Sequence, residues 1–364
     1  MKKIAFVIPS LAGGGMERVM SHLISYIATK KKCESHLILY GKTREIFYDI
    51  PEQIFIHKPK FNFNDHYRTL YTLKTMFYLR KTIKAVQPYS ILSFGELWNS
   101  LVLLSLTGLN FSIFICDRSQ PNKSFGYFHD TLKKILYSKA SGIIVQTEVA
   151  KNIYLSKYKQ KNIIVIGNPF IILPNTEKYK RENIVISVGR LIDTKHFDRL
   201  INIFCQVNLP NWKLVIIGGD SNKQMNSINL QTQIKSLGME NRISLIGVQK
   251  DVKDFLLKAK IFTFTSSSEG FPNVIGEAMN AGLPIVAYDC VAGPAEMIED
   301  GKNGFLIPLF DDQMFEEKLR YLMTHEEEAR KMGDYAKESI KRFSVDTIAE
   351  KLYQILVQAT TIKS

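Results

Sequence analysis

Two glutamates, Glu269 and Glu277, stand at either end of a stretch that contains a turn and the start of a predicted helix. Gly270 precedes this helix, which is predicted to run from about Asn273 to Ala281. The first turn of a helix offers unpaired N–H groups and the positive end of its dipole to a phosphate. Carboxylates aimed at a phosphate would repel it, so we expect both glutamates to accept hydrogen bonds from sugar hydroxyls beside it. The stretch Ser266 to Asp289 therefore predicts a site for a nucleotide diphosphate sugar.

Two cations, Arg190 and Lys195, stand in the loop after the predicted strand Ile184–Val188. At the carboxyl end of a strand, both cations can bind a leaving diphosphate from the same side and stabilise its developing negative charge. There are ordinary alternatives, because loop cations are usually solvated and paired glutamates are often a helix-start residue and an exposed helix residue. The site interpretation depends on the place of the cations, after a strand and opposite the helix that follows Glu269.

The run Glu269, Gly270, Phe271 and Pro272, with Glu277 after it, resembles the E-x7-E signature of the retaining glycosyltransferases of family four. The resemblance implies the α/β GT-B architecture, in which two Rossmann-like domains with doubly wound parallel sheets face each other across a cleft. It also implies roles for individual residues. Those expected to bind the donor are Gly14, Gly15, Arg190, Lys195, Val248, Glu269, Gly270, Phe271, Pro272, Asn273 and Glu277, and those expected to act in transfer are Arg118, Arg190, Lys195 and Glu269.

The resemblance implies transfer of a hexose or N-acetylhexosamine, with UDP as the expected nucleotide, in the assembly of cell-surface polysaccharide or glycan. Anomeric configuration would be retained, with the leaving phosphate accepting the proton of the acceptor, so that no dedicated base is required. The chain contains no D-x-D metal motif, and cations stand where a metal ion would otherwise act. We therefore expect a metal-independent enzyme without a cofactor.

Arg118 follows the predicted strand Phe111–Cys116, where many members of the family have a histidine. This chain has Asp117 and Arg118 instead, which is closer to the Glu-Arg-Asn form of some polysaccharide-type members. Arg118 could hold a sugar or an acceptor phosphate, or it could be a surface loop arginine. One strand earlier, Glu96, Trp98 and Asn99 are expected to line the cleft at the carboxyl end of the sheet.

Alternating predicted strands and helices divide the chain into two domains. Residues 1–169 form the expected acceptor-side domain, 170–182 a linker, and 170–344 the nucleotide-sugar-binding domain, with the helix 345–364 expected to pack back on the first domain. Predicted strands lie at Lys3–Pro9, His36–Tyr40, Ile54–His57, Ser90–Gly95, Phe111–Cys116, Ile143–Val145, Ile163–Ile166, Ile184–Val188, Trp212–Ile217, Ile243–Ile246, Ile261–Thr265, Pro284–Ala287 and Gly304–Ile307.

The net charge of +13 is concentrated in the first half of the chain. Residues 1–175 hold 24 Lys and Arg against 10 Asp and Glu, a net charge of +14, whereas residues 176–364 hold 24 against 25. Such asymmetry indicates an anionic partner, which could be nucleic acid, a membrane surface or a phosphorylated substrate. No nucleic-acid-binding motif is recognised. The four cysteines show no C-x-x-C spacing, as expected of reduced thiols in a cytosol.

The predicted helix 66–86 is rich in aromatic and basic residues, including Arg68, Lys74, Arg80, Lys81 and Lys84. It could simply pack on the sheet with its basic residues outward, or it could lie against anionic headgroups. No apolar run reaches the roughly 18 residues needed to span a membrane. We therefore expect a soluble, cytoplasmic protein that visits the inner face of the cell membrane, where a polyprenyl-diphosphate-linked acceptor or a glycan would receive the sugar.

Other classes of function remain alternatives at this point. A nucleotide-sugar epimerase or a phosphorylase can share the architecture, although the first carries different motifs and the second needs a pyridoxal lysine that is not identified here. A non-catalytic, membrane-associated partner of a glycosyltransferase would have less reason to keep Arg190, Lys195, Glu269 and Glu277 together.

Overall fold

A computed structural model describes residues 1–174, 179–221 and 224–358. The chain divides into two units, Met1–Pro169 with Phe343–Ser364, and Phe170–Arg342. Residues 175–178 of the predicted linker and residues 359–364 of the predicted last helix lie outside the described part. Each unit contains one sheet in which all strand pairings are parallel.

The first unit contains seven strands in the order β3-β2-β1-β4-β5-β6-β7. Its elements are β1 (Lys2–Ile8), α1 (Gly15–Lys30), β2 (Cys33–Leu39), β3 (Phe55–His57), α2 (Arg68–Val86), β4 (Ser90–Phe94), α3 (Glu96–Ser105), β5 (Ser112–Cys116), α4 (Tyr127–Leu136), β6 (Gly142–Val145), α5 (Glu148–Lys157) and β7 (Ile163–Val165). The strands are apolar because helices cover both faces of a parallel sheet. In β1, Ile4, Phe6 and Ile8 pack in one core while Ala5 and Val7 pack in the other.

The second unit contains six strands in the order β10-β9-β8-β11-β12-β13. Its elements are β8 (Ile184–Val188), α6 (Phe197–Val207), β9 (Lys213–Ile217), α7 (Asn226–Ser236), β10 (Ile243–Leu245), α8 (Lys253–Lys258), β11 (Ile261–Phe264), α9 (Asn273–Asn280), β12 (Ile285–Asp289), α10 (Pro294–Met297), β13 (Gly304–Pro308), α11 (Asp312–Thr324) and α12 (Glu326–Ser339). In each sheet the chain first adds strands on one side of the first strand, β1 or β8, and then on its other side. This is the doubly wound topology, so the predicted fold class is confirmed.

The last described helix, α13 (Val345–Gln358), belongs to the first unit and packs against α1. Ile348, Leu352 and Leu356 are buried in the same core as the apolar face of α1. An ion pair between Lys31 and Glu350 joins the two helices at the surface. The C-terminal segment is therefore part of the core on one face of the first sheet.

Candidate active site

The cations and carboxylates of the second unit lie at the carboxyl ends of two neighbouring strands. Arg190 and Lys195 follow β8, Glu269 follows β11, and β8 pairs directly with β11. The Lys195 ammonium forms an ion pair with the Glu269 carboxylate, and Ser266 Oγ donates to the same carboxylate oxygen at 2.9 Å. Both charged side chains are largely shielded from solvent. A positive side chain and a carboxylate acceptor thus stand in contact at the ends of neighbouring strands.

A set of hydrogen bonds that sequence reasoning missed ties the two loops together. Thr265 Oγ1 donates to the carbonyl oxygen of Lys195 at 2.7 Å, and the Ser267 N–H donates to the carbonyl oxygen of Thr194 at 2.9 Å. The His196 ring and the Ser267 hydroxyl are joined at 2.8 Å, and burial lowers the pKa of His196. The run of hydroxyl residues after β11 was the available signal, but their partners lie about seventy residues away in the chain.

Arg190 is exposed, and its loop is fixed through backbone contacts with the next strand ends. Leu191 N–H donates to the carbonyl oxygen of Gly219 at 2.9 Å, and Gly218 N–H donates to that of Gly247 at 3.0 Å. Gly218 has φ of 156°, and a Cβ there would overlap the carbonyl oxygen of Gly189, so the close approach of these turns requires glycine. The loops after β8, β9 and β10 therefore form one continuous edge.

Val248 lies on this edge and is 79% exposed, with its side chain over Gly219. Val248, which is expected to bind the donor, thus presents an apolar side chain at this edge.

The start of α9 carries the remaining predicted donor residues. Phe271 is buried, Pro272 precedes the helix and Asn273 is its first residue, while Glu277 is half-buried on the next turn. A Cβ on Gly293 would lie 2.7 Å from Pro272 Cδ and 3.5 Å from Glu269 Cβ, so a side chain at Gly293 would displace the turn that carries Glu269. Gly293 was not predicted as a site residue, and in the structure it is a packing neighbour of the turn that carries Glu269.

Arg118 lies in the first unit and is half-buried. Its guanidinium donates to Asn168 Oδ1 and stacks over the Phe94 ring, with Cζ 4.6 Å from the ring centroid. Gln146 Nε2 donates to the same Asn168 oxygen at 2.7 Å. The last residue of β4 and a residue after β7 therefore contact Arg118, with Gln146 after β6 bound to the same Asn168, and the alternative of a free surface-loop arginine does not describe it.

Gly14 and Gly15 form the turn at which α1 begins. The Tyr48 hydroxyl accepts from the Gly14 N–H at 3.0 Å and donates to the Gly14 carbonyl oxygen at 2.7 Å. The Glu17 carboxylate lies against Gly14, so a phosphate approaching this turn would meet a negative charge. Tyr48 carried no recognisable signal in the sequence.

Glu96 and Asn99 were predicted to line the cleft at the carboxyl end of the sheet, and this prediction is wrong. Both are buried, at 4% and 0% exposure, and they contact Lys133 and Asp117 inside the first unit. Burial and the neighbouring Asp117 carboxylate raise the pKa of Glu96. Trp98, by contrast, is 41% exposed at the same edge. Among the described residues there is no group of three His, Cys, Asp or Glu side chains that could hold a metal ion.

Two Rossmann-like parallel sheets with charged residues at the carboxyl ends of their strands are features of the GT-B glycosyltransferases. The chain resembles the solved structure of Anabaena HepE in complex with UDP, with a TM-score of 0.80 and 19% identity over 98% of this chain and 100% of that chain. Residues 171–339, which lie in the second unit, match the model of the family described as glycosyl transferases group 1. The chain is a glycosyltransferase, and the resemblance predicted from Glu269 to Glu277 is confirmed to that extent.

Two curated relatives match along nearly the whole chain. The amylovoran biosynthesis glycosyltransferase AmsD of Erwinia amylovora is 28% identical over 98% of this chain and 100% of its own length. The GalNAc-alpha-(1->4)-GalNAc-alpha-(1->3)-diNAcBac-PP-undecaprenol alpha-1,4-N-acetyl-D-galactosaminyltransferase of Campylobacter jejuni is 24% identical over 98% of this chain and 99% of its own length. The roles of individual site residues stay predictions.

Proposed function

We propose that this chain transfers a hexose or N-acetylhexosamine from a UDP-sugar, with retention of configuration, to a polyprenyl-diphosphate-linked or glycan acceptor. The observation that carries the proposal is the contact of Lys195 with Glu269 beside the start of α9, in the unit that the family model matches. The name of the Campylobacter relative supports an undecaprenol diphosphate acceptor and an alpha linkage, and that of the Erwinia relative supports polysaccharide assembly.

In this proposal each unit has its own task. The second unit binds the nucleotide sugar: Arg190 and Lys195 hold the diphosphate, the 246–248 edge faces the base, and Glu277 binds the ribose. The first unit binds the acceptor, and Arg118 holds the transferred sugar or an acceptor phosphate. As the sugar leaves, charge develops on the diphosphate, where Lys195 and the N–H groups at the start of α9 stabilise it. The leaving phosphate then accepts the proton of the acceptor hydroxyl.

A donor panel tests the proposal. The protein would be incubated with each of four donors: UDP-glucose, UDP-galactose, UDP-N-acetylglucosamine and UDP-N-acetylgalactosamine. Each reaction would be run with and without undecaprenyl-diphosphate-linked glycan, and the product masses would be measured by mass spectrometry. We expect slow release of UDP from one donor, accelerated by the acceptor, and a product heavier by one sugar. Interconversion of UDP-sugars without release of UDP would indicate an epimerase, and no turnover of any donor would favour a non-catalytic partner.

Metal independence is a separate part of the proposal. Positive side chains stand where the diphosphate charge develops, so transfer with the best of the four donors should survive excess EDTA within about a factor of two. Loss of activity that magnesium or manganese restores would contradict this.

We further propose that the protein works at the cytoplasmic face of the membrane, which its first unit contacts through α2. This helix exposes Leu70, Leu73 and Phe77, and Tyr67 is exposed just before its first residue, whereas Leu79 and Ile83 are buried against the sheet. The side chains of Arg68, Lys74, Lys81 and Lys84 are exposed as well. Such a mixture of basic and aromatic residues favours anionic headgroups. No helix of the described residues is long and apolar enough to cross a membrane.

Arg80 does not take part in this face. Its guanidinium donates to the carbonyl oxygens of Ser105 and Thr107 at 3.2 and 2.8 Å, so it fixes the end of α3 rather than facing a lipid surface.

A further inference from the structure

A charged cluster is buried inside the first unit, apart from the donor site. Lys133 of α4 is 2% exposed, and its ammonium forms ion pairs with Glu96 at the start of α3 and with Asp117 Oδ2 after β5, the latter at 3.6 Å. Burial acts to lower the pKa of Lys133, but the two carboxylates outweigh it and raise that pKa. Apolar residues of similar volume often give as much stability as such a buried ionic group. The cluster therefore calls for an explanation beyond stability.

The Asp117 carboxylate is held from several elements at once. The Tyr137 hydroxyl lies 3.0 Å from both of its oxygens, the Tyr154 hydroxyl donates to Oδ2 at 2.7 Å, and Asn99 Nδ2 donates to Oδ1 at 2.7 Å. The Asp117 N–H donates to the carbonyl oxygen of Ile144 at 3.0 Å. Both the side chain and the backbone of the residue before Arg118 are thus fixed.

Glu96 and Asp117 belong to the same buried cluster, through Lys133. The Glu96 carboxylate of this cluster is held by the Lys133 ammonium. Arg118 directly follows Asp117, a member of the buried ionic network, and its own guanidinium is held by Asn168 and Phe94.

We propose that Lys133, Asp117 and Tyr154 are positioning residues for Arg118, and that the buried network fixes the chain immediately before Arg118 so that its guanidinium meets the sugar or acceptor phosphate in one orientation. The inference rests on the role proposed for Arg118 above. Directional hydrogen bonds can set the orientation of a neighbouring backbone, whereas apolar packing of the same volume constrains it less.

The test compares two buried tyrosines of the same apolar core. Tyr154→Phe removes one hydrogen-bond donor to Asp117 and keeps the ring. It is preferred to Lys133→Met, which leaves two buried carboxylates without their cation and risks misfolding. Tyr40→Phe is the matched control, because Tyr40 is also buried in this core and its hydroxyl has no hydrogen-bond partner among the described residues.

Hydrogen exchange of the peptide 117–126 and turnover of the best of the four UDP-sugars would be measured for both variants. We expect Tyr154→Phe to speed exchange in this peptide and to slow transfer by about tenfold, the effect of one hydrogen bond to a charged group, with the affinity for UDP unchanged. Tyr40→Phe should change none of the three. Equal exchange and turnover in the two variants would overturn the inference.

A double-mutant cycle separates positioning from general stability. If Tyr154 acts through Arg118, then Tyr154→Phe should cost nothing further in an Arg118→Ala protein. If Tyr154→Phe lowers turnover equally in the native and the Arg118→Ala backgrounds, the positioning role of Tyr154 is overturned and the role proposed for Arg118 is not. Native turnover of Arg118→Ala would overturn the role proposed for Arg118, and this inference with it.

Discussion

At Lys195, one ammonium group serves both the Glu269 carboxylate that it contacts and, in the proposed reaction, a diphosphate. The two demands are compatible because an ammonium has three donors. Glu269 keeps the lysine pointing into the site, and Ser266 fixes the carboxylate in turn. This arrangement resembles a preorganised electrostatic site, in which charge stabilisation does not wait for side chains to move.

Replacing Lys195 by alanine should therefore reduce turnover of the UDP-sugar by at least about tenfold, because charge-assisted contacts of roughly 1.5 to 3 kcal/mol are lost. The matched control is Lys213→Ala, an exposed lysine at the amino end of β9, on the opposite edge of the same sheet. The measurement is kcat and KM for the donor. A folded Lys195→Ala protein with native kinetics would remove Lys195 from the site.

Replacing Glu269 and replacing Glu277 should have different effects, because the two glutamates are proposed to bind different parts of the donor. Glu277→Ala should weaken the binding of UDP itself, because the proposed partner of Glu277 is the ribose. Glu269→Ala should chiefly slow transfer, because its proposed partner is the sugar, which UDP lacks. Calorimetry with UDP and turnover with the UDP-sugar measure the two effects. Equal loss of UDP affinity in both variants would refute this division.

At the scale of elements, strands were predictable from the sequence and the environment of polar strand ends was not. Ile184–Val188 was predicted with the bounds it has, because a strand buried on both faces is a short apolar run. Strand β2 begins at Cys33, three residues before its predicted start at His36, since the polar residues Glu34 and Ser35 look like a loop. His36 is in fact buried and hydrogen-bonds Glu34 and His57.

The same difficulty explains which parts of the site were missed. The spacing of Glu269 and Glu277 is a local pattern, so it could be found without a structure. Glu96 was misplaced because its partner, Lys133, lies 37 residues further along the chain, and a polar strand end looks the same whether it meets solvent or a buried cation. The Tyr48 contact with Gly14 spans 34 residues and has no local signature either.

The glycine turn before α1 gives a prediction at this scale. Tyr48→Phe removes the hydroxyl that binds both the N–H and the carbonyl oxygen of Gly14, so it should lower the free energy of unfolding by about 1 to 2 kcal/mol and raise KM for the donor. Tyr71→Phe, a half-buried tyrosine of α2 that keeps its ring contacts when changed, is the control. Thermal unfolding and donor kinetics are the measurements. Identical results for the two variants would show that Tyr48 does not hold the turn.

For the whole molecule, charge follows the division into units. Residues 1–169 hold 24 Lys and Arg against 10 Asp and Glu, and residues 343–364 hold two of each, so the first unit carries the entire excess. An acceptor with a diphosphate headgroup in an anionic bilayer would attract the first unit electrostatically and would not attract the second unit. The exposed side chains of α2 place apolar groups among those charges, as interfacial helices do.

Reversing three of these charges, with Lys74, Lys81 and Lys84 changed to Glu, should therefore abolish binding to anionic vesicles. Each basic residue near such a surface contributes about 1 kcal/mol, so losing three attractions weakens binding by at least about a hundredfold. Binding of the native protein should also fall steeply at about 1 M salt, where the Debye length is about 3 Å. Sedimentation with phosphatidylserine-containing and neutral vesicles measures both effects.

The matched control changes three exposed lysines of the second unit, Lys235, Lys250 and Lys253, to Glu. Both triple variants have the same net charge, so a loss confined to the α2 variant can only come from where the charges lie. Equal binding by the α2 variant and the native protein, or no binding of the native protein to anionic vesicles, would refute the membrane role of α2. An equal loss in both triple variants would mean that net charge alone, and not this helix, brings the protein to the bilayer.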